Sequence, residues 1–162
     1  MHRWIQRQRA AFTLVEIMIV VAIVGLLVAL ALPAFAKARR KSRVTAYVEQ
    51  LRVLTDAIHQ HAITYGTYPA DSYGGALPDG MSADEVKINW ATPTPLGGQW
   101  DFDAGPGCQG CKAALACYLG SGGVSLTAAE WREVDALVDD GDLSTGNFRV
   151  FLGDRYGYVI EW

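Results

Sequence analysis

The stretch Phe12-Thr13-Leu14-Val15-Glu16-Ile17-Met18-Ile19-Val20-Val21-Ala22-Ile23-Val24-Gly25-Leu26-Leu27-Val28-Ala29-Leu30-Ala31-Leu32-Pro33-Ala34-Phe35-Ala36 decides how this chain folds. From Ile17 to Ala36 no side chain is charged or hydrogen-bonding. Those 20 residues span about 30 Å as an α-helix, the hydrocarbon thickness of a bilayer. A helix that is apolar on every side must be surrounded by apolar matter. A chain of 162 residues has no core able to surround it, so a membrane-spanning helix is expected, with Glu16 in its first turn. Pro33 removes a backbone donor and crowds the preceding turn, which predicts a kink or local unwinding near residues 29–33.

The pattern changes after Ala36. Lys37, Arg39, Arg40, Lys41 and Arg43 form a basic collar. Apolar residues then recur at Val44, Tyr47, Val48, Leu51, Leu54, Ile58 and Tyr65, steps that mark one face of an amphipathic helix. No Gly or Pro interrupts until Gly66, so one continuous helix is expected from about Thr13 to Tyr65. Its second half needs something to pack on, and residues 67–162 are the available partner. These read as short strands and loops with one helix. Strands are expected at Val86–Trp90, Gln99–Phe102, Ala113–Leu119, Asn147–Leu152 and Tyr156–Trp162, the last two joined by a hairpin loop at Gly153-Asp154-Arg155. Thr127 with Glu130 three residues later is a capping-box signature. It opens a helix to about Val138, with Trp131, Val134, Leu137 and Val138 on one face.

Charge is segregated along the chain. Residues 1–11 carry +3, residues 12–36 carry −1, residues 37–66 carry +4 and residues 67–162 carry −9. A basic head and stem therefore bear an acidic globular part, which repels phosphate backbones and argues against nucleic-acid binding. Counted by Lys and Arg alone, the apolar stretch has three on its N side and five just beyond it, which by the positive-inside rule favours a cytoplasmic C side.

A carboxylate at the edge of an apolar helix costs roughly 2–3 kcal/mol or more to insert, so Glu16 should have a partner. One reading leaves it wet at headgroup depth. The other invokes a cut between Ala11 and Phe12, which would create an α-amine at Phe12. Glu16 of one subunit could then meet the Phe12 amine of the next, neutralising both charges and fixing the stagger of neighbouring helices.

Ala11-Phe12-Thr13-Leu14-Val15-Glu16-Ile17-Met18-Ile19-Val20-Val21, with its basic leader and long apolar run, resembles the N-terminal cleavage and methylation motif of type IV prepilins and type II secretion pseudopilins. Pro33 falls where pilins often carry a helix-breaking proline. Tyr65-Gly66-Thr67-Tyr68-Pro69 is similar to a stretch that ends many pseudopilin stems. The family usually has Gly before the cut; this chain has Ala11, which is also small. The resemblance implies removal of residues 1–11 by a prepilin peptidase, N-methylation of Phe12, and packing of the mature helix into a filament core. Partners would then be other pilin-like subunits, the peptidase, an inner-membrane assembly platform and membrane lipid. The expected location is the bacterial inner membrane, single-pass, with the globular domain in the periplasm or an extracytoplasmic filament. The alternative is an exported or membrane-anchored binding domain, because Pro33-Ala34-Phe35-Ala36 also looks like the end of a signal peptide.

Four further groups of residues stand out in the sequence. Asp139, Asp140 and Asp142 surround Gly141 at a helix end and form a candidate calcium site, against the plain alternative of a solvated helix terminus closed by Gly141. Cys108, Cys111 and Cys117 sit within ten residues and are disulfide candidates, with three possible single pairings. Trp90, Trp100, Trp131 and Trp162 read as core or interface residues, and His59 and His61 as poor joint metal ligands. No nucleophile–base pattern or phosphate loop is visible, and no cofactor is implied beyond that calcium. The expected fold is α+β, a long N-terminal helix with a small antiparallel β-sheet domain. Its expected divisions are a leader (1–11), a transmembrane half-helix (12–36), an amphipathic stem (37–66) and an acidic globular domain (67–162). The expected role is structural, not enzymatic.

Overall fold

A computed structural model describes residues 12–108, 110–120, 126–151 and 155–162. The leader, with Ala11, lies outside the described residues, as do Gly153 and Asp154 of the expected hairpin loop. The fold is α+β: a long helix, a four-stranded antiparallel sheet and a second, shorter helix. The chain divides into two compact units with the boundary between Arg40 and Lys41.

Helix α1 (Leu14–Tyr65) has 52 residues. The helix runs through residues 29–33 without a break, so the backbone does not unwind at Pro33. In the first unit every described residue is exposed. The helix there is long and apolar enough to cross a membrane.

In the second unit α1 buries one face: Val44, Tyr47, Val48, Leu51, Leu54, Ile58 and His61. Tyr65, expected on that face, is exposed, and His61 occupies the stripe one turn earlier. A polar residue can sit there because it is paired: His61 Nδ1 lies 2.9 Å from Glu85 Oε1. The Ser82 backbone N–H, and then His61, hold the Glu85 carboxyl below its usual range.

The sheet has the order β1-β2-β4-β3, formed by β1 (Gln99–Ala104), β2 (Ala113–Tyr118), β3 (Phe148–Val150) and β4 (Arg155–Glu161). Gly98, with φ +74°, makes the bend that enters β1. A Cβ there would collide with the Tyr118 carbonyl oxygen, so both the dihedral and the space require glycine. Strand β2 is central, and Ala113 to Cys117 are all buried, as expected of a strand covered on both faces. Ala113, Leu115 and Cys117 face the main core, whereas Ala114 packs with Val159, Cys108 and Cys111.

Val86–Trp90, expected as a strand, is irregular, with bends at Lys87 and Ile88. Val86 and Trp90 are nonetheless buried, so their alternation reports burial and not a ladder. The free edge of β1 receives a different segment, through the Gly75 N–H to the Trp100 carbonyl at 2.8 Å. The other four expected strands appear with ends shifted by a few residues.

Helix α2 (Ala128–Val138) starts with the anticipated capping box between Thr127 and Glu130. Its buried face differs from expectation. Leu137 is exposed, whereas Asp135 is fully buried beside Trp131 and Val134. Positions 131, 134, 135 and 138 form the better helical stripe, and the carboxylate at 135 concealed it. Trp131 sits at the junction of α1, α2 and the sheet, stacked on Tyr156 at 4.4 Å and edge-on to Tyr47 at 5.7 Å. Trp100 stacks on the same Tyr47 at 4.9 Å. Trp131→Ala is expected to destabilise the acidic unit by about 3–5 kcal/mol. Tyr65→Ala is expected to stay within about 0.5 kcal/mol of the parent. Urea unfolding of the full chain in detergent, followed by tryptophan fluorescence, checks both.

Candidate functional site

The first turn of α1 is a second capping box. Thr13 N and Thr13 Oγ1 donate to Glu16 Oε2 at 2.9 and 2.8 Å, and Glu16 N donates back to Thr13 Oγ1 at 3.2 Å. The pair closes donors that a helix start leaves without partners. The signal was present in the sequence as Thr-x-x-Glu, the same spacing as Thr127 and Glu130. The helix start thus holds Glu16 in place, within one turn of Phe12. Both residues are exposed.

The cysteines resolve into a Cys108–Cys111 disulfide with Cα atoms 5.1 Å apart, and a free, buried Cys117. The Cys117 Sγ donates to the Gly97 carbonyl oxygen at 3.2 Å. Burial pushes its thiol up to about 12, so it stays protonated and is not a nucleophile at neutral pH. Trp90, Trp100 and Trp131 are buried. Trp162 is exposed, carries the Arg149 guanidinium 4.4 Å from its ring, and donates to Asn147 Oδ1 at 3.0 Å.

The aspartates regroup. Asp142 is turned into its own loop, accepting from Ser144 N at 3.1 Å and Ser144 Oγ at 2.6 Å. Asp139 and Asp140 instead approach Asp135. Sequence reasoning missed Asp135 because its neighbours on the stripe are apolar.

It also missed a charged cluster on the sheet. Asp101 and Asp103 alternate with Trp100 and Phe102 along β1, and all four are buried. Arg155 Nη1 bridges the two carboxylates, 3.0 Å from Asp101 Oδ2 and 2.8 Å from Asp103 Oδ1. They border a cavity of about 670 Å³ that is also lined by Asp71, Tyr73 and Tyr118. Burial holds the Asp103 carboxyl above its ordinary value, against the pull of Arg155.

Residues 6–32 match the family described as the prokaryotic N-terminal methylation motif. The chain is 32% identical over 82 residues to the type IV major pilin protein PilE of Neisseria gonorrhoeae, covering 48% of this chain and 49% of that protein. It is 32% identical over 86 residues to the type II secretion system core protein G of Pseudomonas aeruginosa, covering 52% of this chain and 61% of that protein. It is 30% identical over 118 residues to the type IV major fimbrial protein FimA of Dichelobacter nodosus, covering 73% of this chain and 62% of that protein. The chain thus spans between about half and three fifths of the length of these relatives. The N-terminal methylation motif and these relatives support a place for the chain in the type IV prepilin and pseudopilin family.

Removing one member of a buried ion cluster strands the others without compensation. Arg155→Gln is expected to cost about 3 kcal/mol or more at pH 7. The sign with pH follows from Asp103: a carboxyl raised in the folded state favours folding in its protonated form, and loss of Arg155 raises it further. The deficit should therefore shrink as pH falls from 7 to 4, measured by urea midpoints across that range.

Proposed function

We propose that this chain is a structural subunit of a type II secretion pseudopilus or a type IV pilus-like filament. In this reading residues 1–11 are the leader that prepilin peptidase removes after Ala11, and Phe12 becomes the N-methylated first residue. Residues 12–36 hold the precursor in the bacterial inner membrane and later line the filament core. Residues 37–66 are the stem, and residues 67–162 form the periplasmic domain. An inner-membrane platform and other pilin-like subunits are the assembly partners. The role is structural, in line with the names of the relatives, which are pilins and a secretion core protein.

The observation that carries this reading is Glu16 at the start of an otherwise uncharged helix, inside the methylation motif. Held by Thr13 one turn from Phe12, its carboxylate sits where the amine of a staggered neighbour would arrive. Attraction between opposite charges is strong where water is excluded, and each group alone would be costly there. Pro33 supplies a place where the packed helices can bend.

Glu16 has two jobs in this account, capping its own helix and receiving the neighbour's amine, and two variants separate them. Glu16→Ala is expected to insert normally but to yield few or no filaments. Thr13→Ala loses about 1 kcal/mol of helix capping but keeps the charge, and should assemble near the parent level. Membrane fractionation together with sheared-filament yield reads both steps. Normal filaments from Glu16→Ala would refute the charge pairing, and an equal defect in Thr13→Ala would reduce Glu16 to a cap.

A further inference from the structure

The apolar stretch ends on a group of cations that the role of Glu16 leaves unused. Lys37, Arg39 and Arg40 follow Ala36 directly, and residues 37–40 are all exposed. Helix α1 runs through them without a break, so their spacing is that of an α-helix. At about 1.5 Å per residue, all of them lie within about 6 Å of Ala36 along the axis. A bilayer holds about 30 Å of hydrocarbon within a total of about 40–45 Å, which leaves a headgroup layer of roughly 5–8 Å on each side. The two lengths coincide. With the apolar stretch in hydrocarbon, Lys37, Arg39 and Arg40 stand at the depth of the lipid phosphates.

The charge of this segment is all of one sign. Between Glu16 and Glu49 the sequence holds no acidic residue, and residues 37–40 carry +3. Successive residues turn by about 100°, so the three side chains point to different sides of the helix. Arg43, further along the collar, is engaged elsewhere, because its Nε donates to the Pro95 carbonyl at 2.7 Å.

We propose that Lys37, Arg39 and Arg40 bind the phosphates of anionic phospholipids of the phosphatidylglycerol kind. Lipid fits better than an acidic protein face because the group begins where the apolar run ends, so the membrane itself sets its depth. Long stems carry the charged ends to the headgroups while their methylenes stay against apolar surface. An Arg guanidinium takes two phosphate oxygens at once, and Lys adds a point charge. A zwitterionic headgroup brings its own cation, which competes with these side chains for the phosphate; phosphatidylglycerol brings none. Anionic lipid therefore gathers around the helix while it is in the bilayer and is shed when the helix leaves. This deepens the reading of residues 12–36 as a membrane anchor and rests on it.

The test reconstitutes the full chain into phosphatidylcholine vesicles with a trace of spin-labelled phosphatidylglycerol or phosphatidylcholine. Electron spin resonance reads the motionally restricted fraction of each label, and flotation of the same vesicles reads insertion separately. The parent should float and prefer the phosphatidylglycerol label roughly threefold at low salt, with the preference fading in about 1 M salt. The triple variant Lys37→Gln, Arg39→Gln, Arg40→Gln should float and lose at least half of that preference. The leader's arginines are the same in both chains, so the difference belongs to this group. The exchange Lys37→Arg, Arg39→Lys, Arg40→Lys keeps the charge and should keep the preference. A parent that fails to float would overturn the anchor and the proposal together. A parent that floats without a preference, or a triple variant whose preference is undiminished, would overturn the proposal alone. Parent chains that show no lipid preference but cross-link to one another in a salt-sensitive way, lost in the triple variant, would assign these cations to an acidic protein face and overturn it as well.

Discussion

One helix must satisfy two solvents, and the rest of the structure depends on that constraint. Along α1 the side chains are apolar on every side up to Ala36 and apolar on one face only from Val44 onward. The first stretch gains stability only when lipid or other helices replace water around it. The second already has its partner in the sheet and α2 of the same chain. Intervening positions 37–43 carry the basic collar, whose charges stay near water and mark the change of environment. A pilin-like subunit requires this division, with a permanently folded domain and a helix whose burial is left for another molecule to complete.

The division was legible in the sequence because its signals are long. Twenty uncharged residues cannot be mistaken for a surface element, and the 3.6-residue stripe from Val44 to Ile58 reads directly as a buried face. The same holds for Thr127 and Glu130, where two side chains and two backbone donors define a helix start. Val86–Trp90 failed because apolar alternation records which side chains are buried, and an irregular segment can bury alternate residues without pairing. Tyr65 and Leu137 failed for a related reason. A stripe of apolar positions predicts a face but not where the packing partner ends, and both lie past that edge.

Buried polar residues were the least legible feature. His61, Asp101, Asp103 and Asp135 occupy positions that pattern reading reserves for apolar side chains. Three of them are accounted for by groups far away in sequence: Glu85 for His61, and Arg155 for the two β1 aspartates. No spacing rule reveals such pairs, because the fold brings them together. Asp135 is the exception, whose carboxylate makes no hydrogen bond with a described residue. The acidic run Asp139–Asp142 is plain in the sequence, but Asp135, the buried carboxylate of the cluster, lies a full helical turn before Asp139.

At the other end of the chain, Thr13 and Glu16 form a local unit that fixes the position of a carboxylate. Preorganisation of this kind lowers the cost of a later ionic contact, since the side chain is already fixed. The account as a whole turns on whether Phe12 becomes the first residue of the mature protein, because only then is there an amine for Glu16 to meet. Mass spectrometry of the N-terminal peptide from membrane-purified protein measures this directly. The account predicts a chain starting at N-methylated Phe12; a chain starting at Met1 or at Lys37 would contradict it.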